Sequence, residues 1–299
     1  RELNSAKNVR AASLERQQKT PKYWSSRISL ESLYGKDYTL GIHGDLKDYE
    51  SISRSDLLAF KQAHFSLDNM MVLISGDSDN VILDQISSTL SGHPGKPITI
   101  TQEKFNGPLP KFDQPVIHAV DGTNQVNLTV AKHVCPTDQQ ERYGLTLLNL
   151  ALGGFFGSRL MQILREEKGL TYGIGSYFKP AFNDYTWTIA GDLKSENATE
   201  AIAVMHAIFD DLKSNLLSDN ELNKIKQYYS GQFRGGFDGP FAMGGKFQHL
   251  LYRGLDMGYY ANVLPGIWRV TAEQVRELAN NYLDPESFIH VLSGDTVKP

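Results

Sequence analysis

Eight histidines are the residues best suited to ligate a metal or shuttle a proton, and they lie far apart. The closest two, His118 and His133, are 15 positions from each other. Neither H-x-x-E-H nor H-E-x-x-H occurs, so no helical turn presents two imidazoles to one metal ion. The single cysteine, Cys135, has no partner for an internal disulfide or a zinc knuckle and reads as a small buried hydrophobe. G-x-S-x-G, G-x-x-x-x-G-K-[ST] and C-x-x-C are also missing, which removes the usual nucleophile elbow, phosphate loop and redox pair. "GGFFGS" (153–158) is glycine-rich but falls between two helical patterns, so it reads as a turn between helices.

Composition narrows the classes further. A chain of 299 residues with 40% hydrophobic residues has room for two packed domains. The net charge of -4 gives no nucleic-acid signature. The seven Lys/Arg against two Glu in residues 1–27 read as a solvated helix face. No apolar run reaches the roughly 18 residues of a membrane span. The compartment stays open, whether periplasmic, cytoplasmic or organellar.

The elements that must position any site are legible through a repeat. "ISRSDLLAFKQAHFSLDNMMVLISGD" (52–77) and "VTAEQVRELANNYLDPESFIHVLSGD" (270–295) align without a gap at an offset of 218. In the later copy Val275, Leu278, Ala279 and Tyr282 share one helix face, as Leu57, Phe60 and His64 do in the earlier. Ser53 and Thr271 are the expected N-caps. A turn follows, then a strand, "MMVLI" or "FIHVL". "ELNSAK" (2–7) and "ELNKIK" (221–226) repeat at an offset of 219. Two matches at nearly one offset imply a duplicated domain rather than a solenoid.

In the later copy, 114–120 and 125–134 read as strands joined through Asp121 and Gly122, and 139–152 and 158–168 as helices, the second stopped by Gly169. "LTYGIGSYF" and "DYTWTIAGDL" read as a hairpin. A helical stripe through Ala201, Met205 and Leu212 follows, then helices over about 218–233 and 240–254. The expected fold is α+β, a duplicated domain of antiparallel sheet packed with helices, its first copy truncated at the N-terminus. Residues 1–91 are the C-terminal part of the first domain. Residues 92–112, within a stretch rich in Pro and Gly, are a linker, and 113–299 form the second domain. The repeat places the start of the first copy about 105 residues before residue 1.

The stretch "LLNLALGGFFGSRLMQILREEKGLTYGIGSYF" (147–178) resembles the second domain of the insulinase/pitrilysin zinc metallopeptidases, which include mitochondrial processing peptidase and the core subunits of the respiratory bc1 complex. "YGKDYTLGIHGDLKDYESISRSDLLAFKQAHF" resembles the end of that family's first domain, and the likeness covers nearly the whole chain. The resemblance implies that Arg165 and Tyr172, seven residues apart, donate hydrogen bonds to the substrate carbonyl and to the oxyanion formed when zinc-bound water attacks it. Both tips are then expected in the cleft between domains, with the guanidinium free of strong ion pairs to Glu166 or Glu167. On spacing alone, Arg165 is a surface helix residue and Tyr172 a strand aromatic.

The resemblance also places the family's H-x-x-E-H helix upstream of residue 1, with a further glutamate ligand downstream of it. Aligned on Pro21, that ligand position falls near Ser13, beside Ala12. Glu15 is two positions away, about 200° around a helix, and Glu2 comes too early. No zinc ligand and no cofactor are therefore expected in this chain. Zinc is expected on a partner or on an N-terminal half. Two functions follow. In one, the chain is a substrate-binding subunit, inactive alone, that meets a peptide as a homo- or hetero-dimer with a zinc-bearing family member. In the other it is a non-catalytic scaffold of the bc1-core type. A self-sufficient zinc peptidase would need a complete upstream motif and Glu15 or another ligand.

Overall fold

Nine consecutive residues of β2 (Val126–Val134) are buried on both faces, so this strand must lie inside a sheet covered on two sides. The computed structural model describes residues 1–77, 79–91, 105, 107, 111–112, 114–181 and 184–295. The expected linker, 92–112, lies almost entirely outside them. Before the sheet come α1 (Glu2–Gln18), α2 (Pro21–Tyr34), α3 (Leu46–Ser51), α4 (Arg54–His64) and α5 (Asn80–Ser91). The sheet is built from β1 (Val116–Ala119), β2, β3 (Thr171–Ala181), β4 (Asp184–Leu193) and β5 (Ile289–Gly294), in the order β1-β5-β2-β4-β3. The remaining helices are α6 (Gln139–Asn149), α7 (Ala198–Ser214), α8 (Asp219–Gly235), α9 (Gly239–Arg253), α10 (Gly258–Arg269) and α11 (Ala272–Tyr282). The fold is α+β.

One expectation about the sheet needs correction. It is mixed, because β1 lies parallel to β5, while the β2–β5, β2–β4 and β3–β4 pairs are antiparallel. β5 enters between β1 and β2, so these two neighbours in sequence do not pair. Six helices separate β1 from β5 in the chain, ample length for the crossover that a parallel pair requires.

Alternation along β2 divides the core. Val126, Leu128 and Val130 face the larger cluster with Leu147 and Leu148 of α6, Met205 and Phe209 of α7, and Val275 and Ala279 of α11. Ala131, with Ile289 and Val291 of β5, faces Leu33 and Tyr34 of α2. Ser25 and Ser29 are buried on α2, and such small side chains allow close approach to the sheet. Ser25 Oγ donates to Asn127 Oδ1 at 2.5 Å, and the Tyr34 and Thr186 hydroxyls are 2.6 Å apart.

The repeat is visible element by element. Adding 218 to the bounds of α4 gives those of α11, and the 3₁₀ turn Leu67–Asn69 maps onto Pro285–Ser287 in the same way. Both helices open with a capping box, Ser53 with Asp56 and Thr271 with Gln274. Gly76 and Gly294, also 218 apart, both have positive φ. The expected strand at "MMVLI" is a second correction. Residues 70–74 form no ladder with other described residues, and all five of these apolar side chains are exposed. Its counterpart, β5, is held by β1 and β2, and the positions 218 residues before those strands fall outside the sequence. α9, the counterpart of α2, lies against this segment. Ser75 donates to the Pro240 carbonyl, and Met70, Met71 and Leu73 line a groove with Leu251 and Tyr252. Each copy thus lends one helix, α2 or α9, to the terminal segment of the other.

The sequence reading assigns no element to 258–269, where α10 lies, and Pro265 and Gly266 are local helix breakers. Packing overrides that signal. Val263, Gly266 and Ile267 are buried, and a Cβ on Gly266 would lie 2.0 Å from Tyr143 Cε2 of α6. Gly266→Ala should therefore cost about 1–3 kcal/mol, read as a lower urea midpoint at unchanged slope.

A histidine pair, His290 buried and His206 half-buried, ties α7 to β5. His290 Nδ1 lies 3.1 Å from the Phe288 carbonyl and must donate to it, which leaves Nε2 to accept from His206 Nε2 at 3.0 Å. Burial, reinforced by His206, pushes the His290 imidazole down to about 4. The unfolded chain then binds more protons than the folded one between about pH 4 and 6.5, so stability falls as pH drops through that window. The contribution is on the order of 3 kcal/mol. Urea titrations at a series of pH values should show a steeper fall for the wild type than for His290→Leu. Parallel curves would rule this out.

Candidate functional site

The end of α6 opens into a wider π-type turn, Leu150–Gly154, and a second wide-turn segment, Met161–Glu167, follows the glycine-rich turn. Such turns displace side chains from ordinary helical register and recur at functional sites. "GGFFGS" is indeed a turn between helical segments. It is fixed on three sides. Asn149 Oδ1 accepts from Ser176 Oγ of β3 (2.7 Å) and from Trp187 Nε1 of β4 (2.9 Å), all three buried. Gly153 lies so close to β3 that a Cβ there would meet Ser176 Cβ at 2.7 Å. Arg159 grips the Glu221 carboxylate with Nε (3.0 Å) and Nη2 (3.1 Å), and also pairs with Asp211, which joins the segment to α8 and α7.

Gly169 takes positive φ and ends this segment, as the sequence predicts. Its N–H donates to the Arg165 carbonyl (3.2 Å) and that of Leu170 to Leu164 (2.8 Å), which turns the chain into β3. β3 begins with a bulge. Thr171 pairs with Leu193 and Gly173 with Asp192, leaving Tyr172 as the extra residue. Buried Thr171 holds the bulge, its Oγ1 donating to the Asp192 carbonyl (2.7 Å) and accepting from the Gly173 N–H (3.0 Å). Tyr172 projects from the bulge with 79% of its surface exposed.

Arg165 occupies the last turn before Gly169, with its side chain 39% exposed and its guanidinium carbon 5.2 Å from the centre of the Phe156 ring. The sequence led to the expectation of a guanidinium free of strong ion pairs, and one weak contact is present. Arg165 Nε lies 3.5 Å from Glu166 Oε1. Both groups are exposed, and such a contact is worth at most about 1 kcal/mol. What the site offers is two hydrogen-bond donors flanking a glycine-capped turn, one on a helix end and one on a bulged strand. Sequence reasoning missed Phe156, the Asn149–Ser176–Trp187 network and the bulge. The close spacing of Gly169, Gly173 and Gly175 was a signal for the bulge. The polar network left none.

α1 carries Glu2, Ser13 and Glu15. Glu2 and Glu15 are exposed, and Ser13 Oγ accepts from Gln17 Nε2 at 3.4 Å. Among the described residues no three His, Cys, Asp or Glu side chains are grouped to hold a metal. Among the described residues no helix is long and apolar enough to cross a membrane.

The family described as the peptidase M16 inactive domain matches residues 51–229, more than half of the sequence and the whole of this turn-and-bulge region. The chain belongs to that family. An uncharacterized zinc protease of Rickettsia bellii is 26% identical over 66% of this chain and 50% of its own length. YmxG of Bacillus subtilis, also an uncharacterized zinc protease, is 22% identical over 77% of this chain and 55% of its own. YmfF of the same organism, a probable inactive metalloprotease, is 21% identical over 71% and 49%. The chain thus spans about half the length of these curated relatives. Among solved structures, a peptidase M16 inactive domain from Pseudomonas fluorescens superposes with a TM-score of 0.85 at 24% identity, covering 100% of this chain and 72% of that one. A chain of Complex III2 from Candida albicans gives 0.74 at 15%, covering 96% and 70%. These likenesses establish the fold.

Proposed function

We propose that the chain is the substrate-binding, zinc-lacking part of an M16-family metallopeptidase and acts in peptide-bond hydrolysis beside a zinc-bearing partner or N-terminal half. The observation that carries this reading is the display of Tyr172 on a strand bulge, with Arg165 on the capped helix end before it. A large, exposed aromatic on a buttressed bulge does nothing for the core, whereas a phenol and a guanidinium suit a carbonyl that gains negative charge. This chain's residues would bind and orient the peptide and stabilise that charge, and the zinc would supply the activated water. The family's designation as an inactive domain agrees with a chain that does not cleave alone.

The test is reconstitution. The chain, alone and mixed with a zinc-bearing family member, is assayed on internally quenched fluorogenic peptides, and zinc is measured in each preparation. Cleavage only in the mixture, with zinc carried by the partner, supports the reading. Stoichiometric zinc in this chain, lost on Glu15→Gln, overturns it. The second reading, a non-catalytic scaffold, is favoured by the Arg165–Glu166 contact, which engages one of the guanidinium donors. Stable assembly without any gain in cleavage would select it.

A further inference from the structure

A second concave site lies away from the turn-and-bulge region. α8, α9 and α10 line an open pocket of about 440 Å³. Its walls are aromatic, with Tyr229 and Phe233 from α8 and Tyr259 and Tyr260 from α10. α9 lays three basic residues along one face of a helix, Lys246, His249 and Arg253, at i, i+3 and i+7. The Lys246 ammonium stands 5.8, 5.4 and 5.8 Å from the ring centres of Phe233, Phe237 and Tyr260, where the rings favour a cation. No ion pair between described residues neutralises Lys246 or Arg253.

Hydrogen bonding fixes the histidine. Tyr260 OH donates to the Lys246 carbonyl (3.0 Å), so it accepts from His249 Nδ1 (3.2 Å). Burial holds His249 neutral with Nε2 an acceptor, so the cations of this face are Lys246 and Arg253. The positive field extends to the start of β4. Arg253 Nη1 reaches the Tyr185 hydroxyl at 3.4 Å, and the Arg142 guanidinium lies 5.3 Å from the Tyr185 ring centre. Burial alone would push the Tyr185 phenol up. The hydrogen bond from Arg253 and the closeness of Arg142 outweigh burial, and the phenol is held below its ordinary value. Inside the pocket burial dominates and pushes the Tyr229, Tyr259 and Tyr260 phenols up, so the attraction for an anion rests on Lys246 and Arg253.

We propose that this pocket binds an acidic peptide segment, seating an apolar or aromatic side chain among the tyrosines and a neighbouring carboxylate on the basic face of α9. Charge complementarity selects the occupant. A basic peptide meets Lys246 and Arg253, and a purely apolar one leaves them unpaired. A small number of placed polar groups in an aromatic cavity is the usual make-up of a binding pocket. Lys246, already inside the aromatic ring set, needs only a short shift of its flexible stem to meet an incoming carboxylate. That the acid belongs to a peptide rests on the proposed peptidase role. The pocket itself is tested by binding to the chain alone.

The probe is a fluorescein-labelled hexapeptide alternating Glu and Phe, set against its Lys and Phe counterpart, with affinity read by anisotropy. Saturable binding of the Glu peptide, at least tenfold tighter than the Lys peptide and weakening as salt is raised, is expected. Arg253→Gln and Lys246→Met should each weaken it about tenfold while circular dichroism shows the helices intact. Equal affinity for both peptides, no saturable binding, or unchanged affinity in both variants overturns the proposal. Loss of cleavage in the reconstituted complex with binding retained leaves the pocket standing and removes the peptidase reading. Cleavage without this binding does the reverse.

Discussion

Replacing Trp187 with alanine should lower the unfolding free energy by about 3–5 kcal/mol, read by urea titration at pH 7. The residue is completely buried on β4, the second strand from one edge, with Phe178 at 5.0 Å and Phe288 at 6.0 Å between ring centres. Alanine removes that contact area and opens a cavity within the larger core cluster. The polar part is smaller. Trp187 Nε1 is shared between Asn149 Oδ1 (2.9 Å) and Ser176 Oγ (2.8 Å), and Asn149 still receives the Ser176 hydroxyl when the indole is gone. Trp187→Phe should therefore cost only about 1–2 kcal/mol. The two variants separate packing from hydrogen bonding, and equal losses in both would show that the network, not the ring, carries the energy. Because Asn149 and Ser176 hold the 150–154 turn on β3, the alanine variant should also disturb the segment that ends in Arg165.

What the sequence made legible is what local pattern controls. Helix faces in α4, α7 and α11 repeat with helical period, α4 and α11 are capped by Ser53 with Asp56 and Thr271 with Gln274, and Gly169 stops a helix where it should. The duplication was visible because both halves keep these local signals. Pairing in space was not. That β5 would insert between β1 and β2, and that its counterpart at 70–74 would remain unladdered, depends on strands distant in sequence. α10 was hidden because Pro265 and Gly266 argue locally for a break, while the close approach of Tyr143 requires the glycine. The reciprocal docking of α2 and α9 was hidden as well, since serines on a helix face carry no address. At the candidate site, Arg165 and Tyr172 came from resemblance. Their spacing alone permits a surface arginine and a strand tyrosine. The bulge that turns Tyr172 outward was marked only by glycines.

Arg165→Ala and Tyr172→Phe should each reduce peptide cleavage by the reconstituted complex about 10²–10³-fold without weakening assembly. The contest at Arg165 is between Glu166 and the substrate. The ion pair uses Nε at 3.5 Å between two exposed groups and is worth at most about 1 kcal/mol. A donor aimed at a developing oxyanion in a water-excluded cleft is worth about 2.7–4 kcal/mol. The transition state therefore wins the guanidinium, which also keeps Nη1 and Nη2 to offer. Glu166→Gln should leave turnover unchanged or raise it slightly, because it removes only the competitor. Tyr172→Phe keeps the ring on its bulge and removes one hydroxyl, so its effect isolates the hydrogen bond. Both losses should appear mainly in kcat rather than KM, since the charge they stabilise forms only in the transition state. Assembly is checked by sedimentation of each variant with its partner, and stability by the same urea titration used for Trp187. Full cleavage by both variants would reduce Arg165 to an exposed helix residue and Tyr172 to a strand aromatic, and would leave the scaffold as the role this geometry serves.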